Sequence, residues 1–253
     1  MKQLSKKIYK NKDFVEKYTN AIKSDEFHQF EDKPAIHKML ATVKGKRVLC
    51  IGCGNGDECA YMVGKGAKDV IGVDLSKSMI EKAESKHEGI KFYVMSASKL
   101  RFKGNEFDVL YADLVLHYLS DITPVMNEAY RVLKSGGRFV FSEIHPVYSM
   151  LERKSKNGRD QALFGYMKNG NKYEVIGDYF ANRVQSSKWF KGYSIKTYSE
   201  TFSGLIMPAI RAGFIVKGVA EPKPLKLLKK VNPERYKKLS KVPQAIIIEL
   251  TKP

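Results

Sequence analysis

The sequence predicts an α/β fold built on a mostly parallel sheet. Three observations lead there. Between residues 47 and 144, short apolar runs alternate with amphipathic stretches. The first run, RVLCIG, is apolar almost throughout, as a strand buried on both faces requires. It passes directly into GCGNG at 52–56, three glycines spaced two apart, where a strand hands over to its helix.

Each element follows in order. Residues 12–43 predict helix, with Phe14, Tyr18 and Ile22, then Ile36, Met39 and Leu40, at helical spacing. Pro34 suits the first turn of the second helix, and Gly45 ends this part. After the strand at 47–52 comes a short helix at 57–66 with glycines at its end. DVIGVD (69–74) is a strand, and 76–87 is a helix with Ser76 as its N-cap. IKFYVM (90–95) and FDVLYADL (107–114) are the third and fourth strands. Residues 121–137 predict a helix closed by Gly136 and Gly137, and RFVFSEI (138–144) is the fifth strand.

Beyond Ile144 the alternation stops. Residues 145–197 carry Tyr148, Phe164, Tyr166, Tyr173, Tyr179, Phe180, Trp189, Phe190 and Tyr193. So many aromatics argue against disorder and predict an inserted cap of short strands and loops, with Trp189 and Tyr193 as candidate walls. A helix returns at 198–213. Strands at 214–221 and 244–250 follow, separated by a basic, Pro-punctuated connection expected to be solvated and helical. The expected organisation is therefore an N-terminal helical segment (1–44), a core (45–144 and 198–253) and a cap over substrate (145–197).

Composition narrows the function classes. The chain has 253 residues, 43% hydrophobic and 11% aromatic, enough for a packed core. Its net charge of +18 attracts polyanions and acidic small molecules, but the lysines run all along the chain and form no single stripe. The charged N-terminus lacks the apolar core of a secretory signal, and no apolar run nears the roughly 20 residues of a membrane span. A cytoplasmic protein without a membrane partner is expected. Cys50, Cys53 and Cys59 fall within ten residues, which is no disulfide framework. Cys50 and Cys53 have C-x-x-C spacing, yet Cys50 sits in a buried strand and no second ligand pair follows. No metal is expected, there or elsewhere in the chain.

The glycine turn points to a ligand lying against bare backbone at the carboxyl ends of the strands. A dinucleotide site has G-x-G-x-x-G with a pyrophosphate on the helix N-terminus. Here the spacing is G-x-G-x-G through Gly52, Gly54 and Gly56, and Asp57 and Glu58 follow directly. Two carboxylates repel a pyrophosphate and favour a cation, such as a sulfonium. Asp74 ends the second strand, where a carboxylate can accept hydrogen bonds from both ribose hydroxyls.

The pieces KGKRVLCIGCGNG, GAKDVIGVDLSKSMIEKAE, FDVLYADLVLHYLSD and RVLKSGGRFVFSEIHPVY stand in an order and spacing that resembles class I S-adenosylmethionine-dependent methyltransferases, in particular the type 11 branch. The resemblance covers about residues 34–147. GDYFANR, AGFIVKGVAEPKP and the last apolar strand look, more loosely, like members of that branch acting on small molecules. It implies a Rossmann-like, seven-stranded sheet with a final antiparallel strand, and S-adenosyl-L-methionine across the strand ends, leaving S-adenosyl-L-homocysteine. Gly52, Cys53 and Gly54 match the turn beside the methionine moiety, and Asp74 matches the ribose carboxylate. Leu75 and Met79 match positions flanking the adenine, and Ala97 and Ser98 match the loop beside the ring. Asp113 and Leu114 match the fourth-strand end near the transferring methyl. Tyr18 matches an N-terminal aromatic that closes over the cofactor. Two positions depart from the family's pattern. Cys50 stands where an acid helps hold the methionine ammonium, and Ser96 stands where an Asp often accepts from the adenine amino group. Ser96 can still accept, and Asp57 is the candidate replacement partner for the ammonium.

A sulfonium methyl is already activated, so the protein's main task is alignment, with a base added where an O–H or N–H must lose its proton. His117 and Tyr118 follow the fourth strand on the substrate rim, and Glu143 and His145 follow the fifth. His117 is the first candidate base and His145 the second. The leading expectation is methyl transfer to a small-molecule acceptor. A tRNA or rRNA methyltransferase is second, raised by the charge and by the basic segment 223–241, although ADLVLHYL contains no Asn-Pro-Pro-Tyr-like tetrapeptide. A non-catalytic S-adenosylmethionine-binding protein is third, raised by Cys50 and Ser96. An NAD(P) oxidoreductase is disfavoured by the glycine spacing.

Overall fold

The computed structural model describes residues 8–149, 152–156, 159–163, 165–169, 172–176, 178–180, 184–190 and 193–253. A 3-10 turn at Ile8–Lys10 leads into α1 (Lys12–Ser24), a π-helical turn (His28–Asp32) and α2 (Lys33–Leu40). Then come β1 (Arg47–Ile51), α3 (Asp57–Gly64), β2 (Asp69–Asp74), α4 (Lys77–Lys86), β3 (Lys91–Val94) and β4 (Phe107–Asp113). A 3-10 turn (Leu116–Tyr118), α5 (Thr123–Val132), β5 (Leu133–Ile144) and the short α6 (Pro146–Ser149) follow. Next are β6 (Glu152–Lys156), β7 (Arg159–Leu163), β8 (Gly165–Asn169), β9 (Lys172–Ile176), β10 (Val184–Phe190) and β11 (Tyr193–Tyr198). The chain ends with α7 (Phe202–Arg211), β12 (Ile215–Ala220), α8 (Lys226–Val231), α9 (Pro233–Leu239) and β13 (Ala245–Thr251).

Seven strands form one sheet in the order β12-β13-β5-β4-β1-β2-β3. All neighbours pair parallel except at β13, which runs antiparallel to both β5 and β12. Alternation along β1 divides its side chains between two cores. Leu49 and Ile51 pack with Val125 and Met126 of α5 and Leu205 and Ala209 of α7. Val48 and Cys50 pack with Ile36 and Leu40 of α2, Cys59 and Met62 of α3 and Ile80 of α4. The strand order reverses between β1 and β4, and that crevice is where such sheets bind ligands.

Strands β6–β11 stand apart from this sheet as three antiparallel pairs, β6 with β7, β8 with β9 and β10 with β11. The side chain of Trp189, expected as a wall, lies outside the described residues. Tyr193 is described, and its ring packs 5.3 Å from that of Phe14.

Three element boundaries differ from the sequence reading. Of the two helices read over 12–43, the second opens at Lys33 with Pro34 in its first turn as expected, but the first stops at Asp25, whose Oδ1 accepts from the Phe27 N–H at 2.7 Å. The helix over 121–137 ends at Val132, because Leu133 is extended and pairs with Phe107. Gly136 and Gly137 therefore lie inside β5, with Gly136 at φ +72°. The helix over 198–213 starts at Phe202. Tyr198 belongs to β11, and the Thr201 side chain caps the helix by accepting from Gly204 N–H at 3.0 Å.

Candidate functional site

The carboxyl ends of β1, β2 and β4 open onto two adjoining cavities, of about 430 and about 140 Å³. Gly52, Gly54, Asp113 and Leu114 line both, so the lobes meet where the glycine turn faces the end of β4.

The three glycines do three different things. All have positive φ, +64°, +53° and +82°, which L side chains adopt only with strain. A Cβ on Gly52 would stand 2.5 Å from a Val115 methyl, so this glycine admits the loop after β4. A Cβ on Gly54 would meet nothing within 4 Å, so it leaves open space for a ligand. A Cβ on Gly56 would strike Phe92 and His87, and Gly56 lines neither lobe.

Asp74 lines the smaller lobe with Leu75, Met79 and Ala97. Its Oδ2 accepts from Gly54 N–H at 3.0 Å and its Oδ1 from Ser76 N–H at 2.8 Å. Burial raises its pKa, and these backbone bonds pull the other way. Each oxygen keeps further lone-pair capacity for a ligand donor. Ser76 also caps α4, accepting from Met79 N–H at 3.2 Å, so strand end, cap and carboxylate form one unit. Ser96 and Ser98 bond to each other through their hydroxyls at 2.9 Å in the loop after β3, and neither lines a lobe.

The N-terminal segment roofs the smaller lobe. Tyr9 and Tyr18 line it, and the Tyr9 and Tyr118 hydroxyls lie 2.8 Å apart. Phe14 stacks on Tyr18 and packs with Val15, Met79 and Ile195, tying α1 to both α4 and β11.

In the larger lobe, His117 is buried and its Nδ1 lies 3.1 Å from Glu143 Oε2. Glu143 also accepts from the Leu116 N–H at 2.9 Å, fixing the turn that carries the histidine. With Nδ1–H donated to the carboxylate, Nε2 retains its lone pair. Tyr118 lines both lobes. His145 does not join them. Its Nε2 pairs with Glu221 at 2.8 Å and its Nδ1 accepts from Val147 N–H, so it organises the turn into α6.

Asp57 and Glu58 both line the larger lobe, but each already has cations from the chain. Asp57 pairs with Lys86 and with His87, and accepts from Asn55. Glu58 pairs with Lys33 at 3.0 Å and His37 at 2.7 Å, and accepts from the Tyr111 hydroxyl at 3.0 Å. Burial acts to raise the Glu58 pKa, but His37 and Lys33 overcome it and hold it at about 2. Cys53 lines the larger lobe, and Cys50, Cys53 and Cys59 are all free and buried.

Two groups at the site escaped the sequence reading. His28 lines the larger lobe, and Asp32 is buried beside Asp113. Nothing in their local pattern marks them. They reach the site only because the π-helical turn folds back over the end of β4, some 80 positions further along.

Residues 49–141 match the model of a methyltransferase domain. A solved S-adenosylmethionine dependent methyltransferase from Mesorhizobium loti is 28% identical, with a TM-score of 0.72 over 86% of this chain and 96% of that one. A demethylmenaquinone methyltransferase from Lactococcus lactis is 29% identical over 81% of this chain and 83% of its own length. A ubiquinone/menaquinone biosynthesis C-methyltransferase from Desulfotalea psychrophila is 30% identical over 53% of this chain and 63% of its own. The strand order, with its single antiparallel strand last in the chain, and the shared sequence across β1 to β5 identify residues 49–141 as a methyltransferase domain within the fold of the class I S-adenosylmethionine-dependent methyltransferases.

Proposed function

We propose that the chain transfers a methyl group to a small, planar, hydroxylated acceptor held in the larger lobe. S-adenosylmethionine supplies an electrophilic methyl group when bound. The smaller lobe suits its nucleoside: Asp74 offers acceptors to the ribose, Leu75, Met79 and Ala97 offer apolar surface to the adenine, and Gly54 leaves the backbone bare. Gly52, Gly54, Asp113 and Leu114 stand at the junction, where the methionine portion belongs. Tyr9, Tyr18 and Phe14 exclude water from above.

The observation that carries the acceptor reading is the buried His117–Glu143 pair facing the larger lobe. A histidine oriented by a carboxylate is the arrangement of a general base, since the carboxylate stabilises the imidazolium formed when it takes a proton. Tyr18, Tyr111, Tyr118 and Tyr148 surround that lobe and suit a flat ring. The Lactococcus relative, a demethylmenaquinone methyltransferase, and the Desulfotalea relative, a C-methyltransferase of ubiquinone/menaquinone biosynthesis, favour the same acceptor class. Residues 145–197 then serve as the substrate cap, and His145 serves as a shaping residue at its root.

Calorimetry with S-adenosylmethionine, S-adenosylhomocysteine and NAD tests the cofactor half. Binding of NAD alone would overturn it. Methyl-labelled S-adenosylmethionine offered with a panel of reduced quinols, phenols and bulk tRNA tests the acceptor half. The +18 charge and the lysines of α8 and α9 favour RNA as the second reading. Label entering tRNA, with affinity falling steeply as salt rises, would replace the small-molecule acceptor.

A further inference from the structure

Between the N-terminal helices and the end of β4, two side chains that neither the nucleoside lobe nor the His117–Glu143 pair uses, His28 and Asp32, meet Asp113 of the lobe junction. Donor atoms of His28, Asp32 and Asp113 all lie within 4.8 Å of one another. Asp32 is fully buried, and no donor hydrogen-bonds to either of its oxygens. His28 is 9% exposed, and its Nδ1, 3.5 Å from Asp32 Oδ2, also has no hydrogen-bond partner. Asp113 accepts from the Ser142 hydroxyl at 2.7 Å and lines both lobes. Buried acceptors without donors cost stability, and two adjacent carboxylates repel each other. A proton shared by the two carboxyls, or a cation between them, removes both penalties. Lys33 Nζ, on the next residue along the chain from Asp32, pairs with Glu58 at 3.0 Å instead.

We propose that His28, Asp32 and Asp113 form a binding site for a divalent first-row transition metal ion. One imidazole and two carboxylates are a donor set such ions accept. His28 and Asp32 are four residues apart in one helical turn and so share a face, while Asp113 arrives from the end of β4. Bonds of about 2.1 Å need the donors to close by roughly 1 Å, which side-chain rotation supplies. The ion's remaining positions open towards the larger lobe through His28 and Asp113. Its role rests on the acceptor reading above. An acceptor hydroxyl that ligates the ion becomes more acidic. Its O–H bond breaks, the electron pair stays on oxygen, and the proton passes to His117.

The test is Mn²⁺ binding to the full-length chain after chelator treatment, without cofactor, by calorimetry and by paramagnetic resonance of the free ion. Zn²⁺ is run in parallel. One ion per chain is expected. Asp32→Asn and His28→Asn should each weaken binding about tenfold or more while melting cooperatively without metal. Such a result supports the site whether or not S-adenosylmethionine binds. No binding at millimolar Mn²⁺ or Zn²⁺, or equal binding by both variants, overturns it. So does a third result: no metal bound, with Asp32→Asn weakening S-adenosylmethionine but not methylthioadenosine, which lacks the amino-acid tail. The cluster would then hold an ammonium.

Discussion

Two buried acids around the site, Asp74 and Asp32, are treated in opposite ways. At the smaller lobe, each Asp74 oxygen takes a backbone N–H from an element that meets there, the glycine turn or the start of α4. Beside Asp113 at the end of β4, Asp32 is buried with no donor on either oxygen, and burial raises its pKa to about 6. A satisfied carboxylate is part of the scaffold and keeps a fixed position whether or not ligand is bound. An orphaned one stores a cost that only a proton or an incoming cation relieves. Asp74 is therefore held in place by the fold, and the cluster around Asp32 is where binding can still change the balance.

Breaking the catalytic side of this contrast should give the largest effect. His117→Gln should lower turnover on the acceptor found by labelling by roughly 10²–10⁴-fold, with cofactor affinity in calorimetry unchanged. A fall in affinity with turnover intact would make His117 a packing residue. Asp74→Ala comes next. It removes acceptors for two ribose hydroxyls, each worth about 1.5 kcal/mol or more, so S-adenosylmethionine affinity should fall about 100-fold in calorimetry.

Glu58 sharpens the contrast through pH, because it is a buried acid whose cations are supplied by the chain. Its folded-state pKa, about 2, lies below its ordinary value of 4.5. The stabilisation is therefore complete above about pH 5 and is lost as pH falls towards 2. Glu58→Gln should lower stability near neutrality by at most about 3 kcal/mol. The gap from the parent should narrow in melts between pH 5 and pH 3. A constant gap would remove the electrostatic explanation.

The glycine pair gives the smallest and cleanest comparison. Gly52→Ala places a Cβ 2.5 Å from Val115 at φ +64°, so about 2 kcal/mol of stability should be lost in denaturant titrations. Gly54→Ala has a similar φ of +53° but open space, and should cost about 1 kcal/mol, with the new methyl felt chiefly as weaker cofactor binding. Equal stability costs would mean that strain alone, and not the Val115 approach, keeps Gly52.

Much of the architecture was legible locally. The β2 boundaries, the Ser76 cap and the glycine turn coincide with the sequence pattern, because each depends on residues within a few positions of one another. The end of α5 was not, since Leu133 leaves the helix to pair with Phe107, a partner 26 positions away that no local window contains. The same holds at the site. Asp74 announces itself by ending an apolar strand after a glycine turn. His28 and Asp32 sit in a polar stretch that reads as an ordinary helix surface. Asp57 and Glu58 read as open carboxylates at a helix start, but tertiary folding brings Lys86, His87, Lys33 and His37 onto them.

By itself, the sequence determined the alternation of strands and helices, the bare turn after β1 and the carboxylate that ends β2. These follow from side-chain periodicity and glycine's freedom at positive φ, which are properties of neighbours along the chain. Only the tertiary structure decided which buried charges are paired and which are left without a donor. Pairing energy depends on distance in space, and burial and partners are set by elements that meet from opposite ends of the chain.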